Sequence, residues 1–125
     1  MSPMSGGASG PASQTALGLR FEFYDEDGRM IATIVREDIK GAAVPRQGEH
    51  IGTGSLSPLV HGLVGESPAV DHLEHFLRVP GTRDWAPLTM VVARVRAVES
   101  AQLRQAQEAL DVEGWTVFHH GDDAA

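Results

Sequence analysis

Leu19, Phe21 and Phe23 alternate with Arg20, Glu22 and Tyr24, and the chain then passes through Glu26-Asp27-Gly28-Arg29. A side-chain period of two places the apolar residues on one face of a strand and the polar ones on the other. Asp-Gly between two alternating runs supplies the positive-φ position that a tight hairpin turn needs. From Met30 to Arg36 the alternation resumes, with Ile31, Thr33 and Val35 set against Ala32 and Ile34. The spacing therefore predicts a β-hairpin. A hairpin alone is barely stable in water, so further strands or a helix must cover its Leu-Phe-Phe face.

The remaining chain is long enough to supply that cover once. At 125 residues it has the size of one domain. Met1 to Thr15 holds no charged or aromatic residue and is expected to be a disordered tail. Residues 16–120 are expected to form the globular unit, with 121–125 a frayed acidic end. The tail lacks both the basic and the apolar regions of a secretory signal, so a cytoplasmic location is expected. No apolar run approaches the roughly 18–20 residues that span a bilayer.

Composition excludes several chemistries. There is no Cys, hence no disulfide scaffold, thiol nucleophile, Cys-ligated zinc or iron–sulfur cluster. Lys and Arg number 10 against 17 Asp and Glu, a formal net charge of −7. Such a chain repels phosphate backbones unless its cations gather on one face, and no basic run with interleaved aromatics does so. Lys40 is the sole Lys and Asn is absent. This is the bias of a GC-rich coding sequence, so the Arg content by itself is not credited to ligand recognition.

Further elements follow from pattern. Leu88 to Glu99 is expected as a long strand, apolar on both faces at first and charged on one at Arg94 and Arg96. Ser100 is placed to cap a helix with Leu103, Ala106 and Leu110 on one face, and Gly114 to end it. Trp115 to Phe118 is expected as a closing strand. Between Glu37 and Pro68 the chain is rich in Gly and Pro, and the runs Val44–Ile51 and Leu59–Val64 are expected as brief strands between turns.

Residues Ser67–Val79 fit two patterns. As a helix, Ser67 caps, Pro68 takes the first position, and Ala69, Val70, Leu73, Phe76 and Leu77 form a stripe. As a strand, Asp71, Leu73, His75, Leu77 and Val79 share a face. Periodicity favours the helix slightly. The order Val44-Pro45-Arg46-x-Gly48-Glu49-x-Ile51, a Gly-rich stretch, Val70-x-x-Leu73-Glu74-His75 and the strand from Leu88 resembles small bacterial SH3-like β-barrel domains of unassigned function. That resemblance implies a strand here, and we take the strand.

The choice bears on chemistry. His72 and His75 are the best candidate metal pair, with His50 or His61 as a third ligand. Residues three apart share a helical face but lie on opposite faces of a strand. Gly65-Glu66-Ser67-Pro68-Ala69 approximates a nucleophile elbow, yet Pro68 lacks the N–H that an oxyanion hole would take from that position. Asp25-Glu26-Asp27-Gly28 lacks calcium-loop spacing, and Gly52-Thr53-Gly54-Ser55 lacks the Lys of a phosphate loop. His119-His120 near Asp122 and Asp123 is a chain-end cluster. Arg94 and Arg96, with Trp85 shortly before them, are the candidate partner-binding residues, although pairing with a carboxylate such as Glu22 would equally satisfy an Arg there.

These expectations amount to a mainly β domain, a partly open antiparallel barrel with one C-terminal helix, or an α+β sheet with a second helix at 67–79. The expected function is a non-catalytic binding or assembly module. It would engage a protein partner, or a second copy, through an exposed strand edge or the Arg-bearing sheet face, with no catalytic residue, cofactor or membrane contact. The alternatives are a small metal- or His-dependent enzyme using His72 and His75, and, least favoured by charge, a nucleic-acid-associated regulator.

Overall fold

The computed structural model describes residues 14–77, 87–96 and 98–120. Five strands and two helices follow in the order β1 (Thr15–Tyr24), β2 (Met30–Gly41), α1 (Pro58–Val64), β3 (Val70–Phe76), β4 (Leu88–Val95), α2 (Ser100–Glu113) and β5 (Thr116–His119). The strands form one open sheet in the order β3-β4-β1-β2-β5. The mainly β class holds, with a small helical part.

The predicted hairpin is the centre of that sheet. β1 and β2 pair antiparallel from Thr15 opposite Gly41 to Tyr24 opposite Met30. At its tip, Asp25 Oδ1 accepts from the N–H of Asp27 and of Arg29, and Gly28 takes φ +83°. β1 pairs parallel with β4, whereas β3–β4 and β2–β5 are antiparallel, so the sheet is mixed. The parallel pair requires a long connection. β4 reaches β5 through α2, which carries the chain past β1 and β2 to the far edge.

Leu19, Phe21, Phe23, Ala32, Ile34, Val91 and Ala93 form one buried cluster with Val60 of α1 and Leu103, Ala106 and Leu110 of α2. Both helices therefore lie on the same face. Phe21 packs on Trp115, ring centroids 6.2 Å apart. Burying side chains of this size contributes roughly 1.5–3 kcal/mol each, which makes the helix-covered face the source of most of the fold's stability.

Several sequence expectations are corrected. Leu59–Val64 is helical: Ser57 caps α1 by accepting from the N–H groups of Leu59 and Val60, and Pro58 occupies the first turn. The Ser-Pro signature read at 67–68 thus operates ten residues earlier, at 57–58. Val44–Ile51 is largely a turn, with one isolated bridge between His50 and Ala69. The cap of α2 is Glu99, which forms a capping box with Gln102, while Ser100 is already helical. Within the disputed segment Ser67–Val79 the strand reading stands over Val70–Phe76, as β3; residues 78 and 79 lie outside the described residues. The second helix that the α+β alternative requires exists, but at Pro58–Val64. The tail expected over residues 1–15 is one residue too long at least, because Thr15 already pairs with Gly41 as the first residue of β1; residues 1–13 and the acidic end at 121–125 lie outside the described residues. Among the described residues no helix is long and apolar enough to cross a membrane.

Candidate functional site

The other face of the sheet carries charge. Strand register sets its rows: Val35, Arg20, Val92 and His72 stand side by side across β2, β1, β4 and β3, and Thr33, Glu22 and Arg94 form the next row. Met90 lies between Gly18 and Glu74. Met90 and Val92 are buried yet take no part in the helix-side core, so β4 is two-sided as its sequence suggested. No described helix covers this face.

Its polar side chains form a connected network. Arg20 Nη2 bonds Glu74 Oε2 at 2.5 Å and lies 3.1 Å from Glu22 Oε2. His72 Nε2 lies 2.9 Å from the same Glu74 oxygen, and His72 Nδ1 lies 2.6 Å from Asp71 Oδ2. Arg94 Nε reaches Glu22 at 3.3 Å and Asp71 at 3.5 Å. The Tyr24 hydroxyl donates to Glu22 at 3.0 Å. Glu22, a buried carboxylate, is thus surrounded by two guanidinium groups and a phenol, the condition under which a buried charge is tolerated.

An irregularity in β3 makes the network possible. The register with β4 slips between Val70 and His72, leaving Asp71 as an extra residue. Such a bulge bends the strand and re-aims a side chain. It brings Asp71 against His72 and Arg94, two residues that strict alternation would place on the opposite face. Sequence alternation gave no sign of this position.

The network sets charge states. Hydrogen bonds to Glu74 and then to Asp71 hold His72 above the ordinary imidazole value of 6.5. Hydrogen bonds from Arg20 and then from His72 hold Glu74 below the usual carboxylate range. Burial, reinforced by the bond to Glu22, pushes the Tyr24 phenol up. When His72 is protonated, both its nitrogens donate to carboxylate oxygens, and in that form neither lone pair is free for a metal or a substrate proton.

His75, by contrast, bonds Thr89 Oγ1 at 3.1 Å, in a different row from His72, as an odd separation on a strand requires. The other histidines are also separately engaged. His50 donates to the Ser67 carbonyl, His61 meets Thr53 Oγ1, His119 meets Gln107 and His120 meets Thr33. Among the described residues no three His, Asp or Glu side chains group as a metal site would require. The Gly52–Ser55 loop buries Thr53, whose hydroxyl donates to the Gly65 carbonyl at 2.5 Å and ties the loop to the end of α1.

At the end of β4 the network opens to solvent. The guanidinium carbons of Arg94 and Arg96 lie 5.7 and 5.6 Å from the centroid of the Tyr24 ring, within cation–π range. Both arginines thus meet one ring, although the strand expected to run to Glu99 ends at Val95 and Arg96 lies just beyond it; the carboxylate partner foreseen for Arg94, Glu22, is present. Arg96 is exposed and has no carboxylate within ion-pair distance among the described residues. Trp85 lies outside the described residues.

Comparison with known proteins finds no relatives. No protein-family model, curated protein or solved structure matches the chain. The functional reading rests on this site alone.

Proposed function

We propose that the chain is a non-catalytic cytoplasmic binding module that engages a protein partner on the uncovered face of its sheet, at the corner where Arg94 and Arg96 meet Tyr24. The observation that carries this reading is the contrast between Arg96 and its neighbours. Arg20, Arg94 and His72 are each matched to carboxylates within the network, whereas among the described residues Arg96 meets the Tyr24 ring and no carboxylate. A cation oriented by an aromatic ring, at the rim of a largely neutralised surface, suits a partner's carboxylate with an apolar neighbour to lie on the ring.

The enzyme reading has less support, since the best His is held between two carboxylates and takes the role of a cationic strut. A nucleic-acid partner would have to lay phosphates beside Glu22, Asp71 and Glu74.

Quantitative capture from the native host with wild type and an Arg96→Glu variant of unchanged circular dichroism tests the proposal. A partner retained by wild type and lost from Arg96→Glu is expected, and an identical set of captured proteins would overturn it.

A further inference from the structure

The two edges of the sheet are built differently. At the β3 edge, Gly48 N–H bonds Val70 O at 2.9 Å, Val70 N–H bonds Glu49 O at 2.8 Å and Ile51 N–H bonds Pro68 O at 2.9 Å, so a neighbouring segment covers the start of the strand. Beyond it come the Asp71 bulge and the charged Glu74. Bulges, inward charges and covering loops are the devices that stop an edge from pairing with another chain. Among the described residues the β5 edge has none of them. Thr116–His119 contains no Lys, Arg, Asp, Glu or Pro, its register with β2 is unbroken, and Phe118 is 50% exposed.

The backbone of β5 shows which groups are available. His120 N–H donates to Ile31 O at 2.8 Å, continuing the register from Val35 opposite Thr116 to Ala32 opposite His119. Inward-pointing residues alternate in an antiparallel ladder, so Phe118 and Thr116 also direct their N–H and C=O to β2. Val117 and His119 therefore direct theirs away from the sheet.

We infer that β5 is a strand-addition surface for a second copy of this chain, paired antiparallel about a two-fold axis at Phe118. That register sets Val117 opposite His119 of the other copy, twice, so every outward N–H and C=O of the two residues is satisfied. It sets Phe118 against its symmetry mate in the non-hydrogen-bonded position, where side chains approach most closely, and aromatic pairs there are favourable. Side-chain faces alternate by two, so only registers pairing odd with odd and even with even keep both helical layers on one side. This register does so, and both Tyr24–Arg96 corners then open on the other side. A like copy is the occupant that the charge favours: in a chain of net charge −7, an edge free of charged residues is where self-association meets least repulsion. Four residues per copy bury far less than a standard interface of about 1,600 Å², so the dimer is weak and concentration-dependent. The inference stands independently of the Arg96 reading.

Sedimentation equilibrium over a concentration series tests it. The wild-type mass is expected to rise from one chain towards two, and both Val117→Pro and Phe118→Lys to stay at one. Val117→Pro removes an outward N–H and no bond to β2; should it fail to fold, Phe118→Lys at an exposed side chain decides. Because the chain has no Cys, Phe118→Cys offers a single thiol, and mild oxidation is expected to link two copies. Val112→Cys, 84% exposed on α2, is expected not to link. A wild-type chain monomeric throughout, a dimer kept by Phe118→Lys, or equal linking of the two Cys variants would overturn the inference.

Discussion

His72 Nε2 lies 2.9 Å from Glu74 Oε2, two residues along the same strand, and Glu74 holds His72 and Arg20 together through that one oxygen. Strand alternation supplies the pairing, because residues two apart share a face. The Asp71 bulge supplies the second carboxylate.

The His72 titration midpoint is therefore expected above 6.5, and to fall more in Glu74→Gln than in Asp71→Asn, since the Glu74 bond is the larger influence. Imidazole proton shifts in an NMR pH series check this. The sign for stability follows. A raised folded value favours the protonated fold, so the contribution is fully present below the unfolded value and is lost as pH rises through the folded one. Glu74, held low, contributes above its ordinary value of 4.5 and loses that contribution as pH falls through its folded value. The advantage of wild type over His72→Gln is thus greatest in the mildly acidic window between. With the side chain one-third exposed, it is about 1 kcal/mol or less.

Removing Arg20 leaves Glu22 and Glu74 facing each other without their shared cation. Arg20→Met is expected to cost about 1–3 kcal/mol, below the loss for a fully buried pair because part of the group is solvated. Adding Glu74→Gln should restore part of that loss. Urea unfolding of the two single variants and the double closes the cycle, and strict additivity would contradict the coupling.

Gly18 is required by Met90. A Cβ at position 18 would lie 2.9 Å from Met90 Sδ and 3.2 Å from Leu88 Cδ2. Gly18→Ala is expected to cost roughly 1 kcal/mol, since the flexible thioether can yield only in part. In a Met90→Val background the same substitution should cost less, as denaturant midpoints of the four proteins will show.

Gly114 ends α2 at φ +104°, and a Cβ there would meet the Arg36 guanidinium at 3.2 Å. That guanidinium donates to the Glu113 carbonyl and lies over Trp115, so helix end, strand and core meet at one residue. Gly114→Ala is expected to lose about 1 kcal/mol or slightly more, a fall of roughly 4–8 °C in Tm for a domain of this size. Gly114→Asn should lose less, because Asn tolerates the left-handed region better.

Much of the fold was legible because its signals are local. The hairpin rests on alternation and Asp27-Gly28, and the long strand on its apolar faces. The end of α2 rests on Gly114. Each depends on residues within a turn or two of one another. The divergence of His72 from His75 followed from the same period once a strand was assigned, whereas Arg96 lies beyond the end of β4 at Val95 and reaches Tyr24 from there. The errors arose where two local signals were equal. Ser57-Pro58 and Ser67-Pro68 are the same dipeptide. The first begins a helix because Val60 finds the core beneath it, while the second leads into β3, whose Val70 and Leu73 pair against β4.

The sequence by itself determined the period of each strand, the turn at Gly28, and hence which residues travel together on a face. Only the tertiary structure decided which strands became neighbours. β1 and β4 are separated by more than sixty residues, yet their parallel register places Glu22 beside Arg94. The slip at Asp71 then brings a third carboxylate to the same place. Charge clusters of this kind arise from long-range register, and register is chosen by the burial of the opposite, apolar face. The fold buries Phe21 and Phe23 completely, and the same pairing lines up the charges behind them.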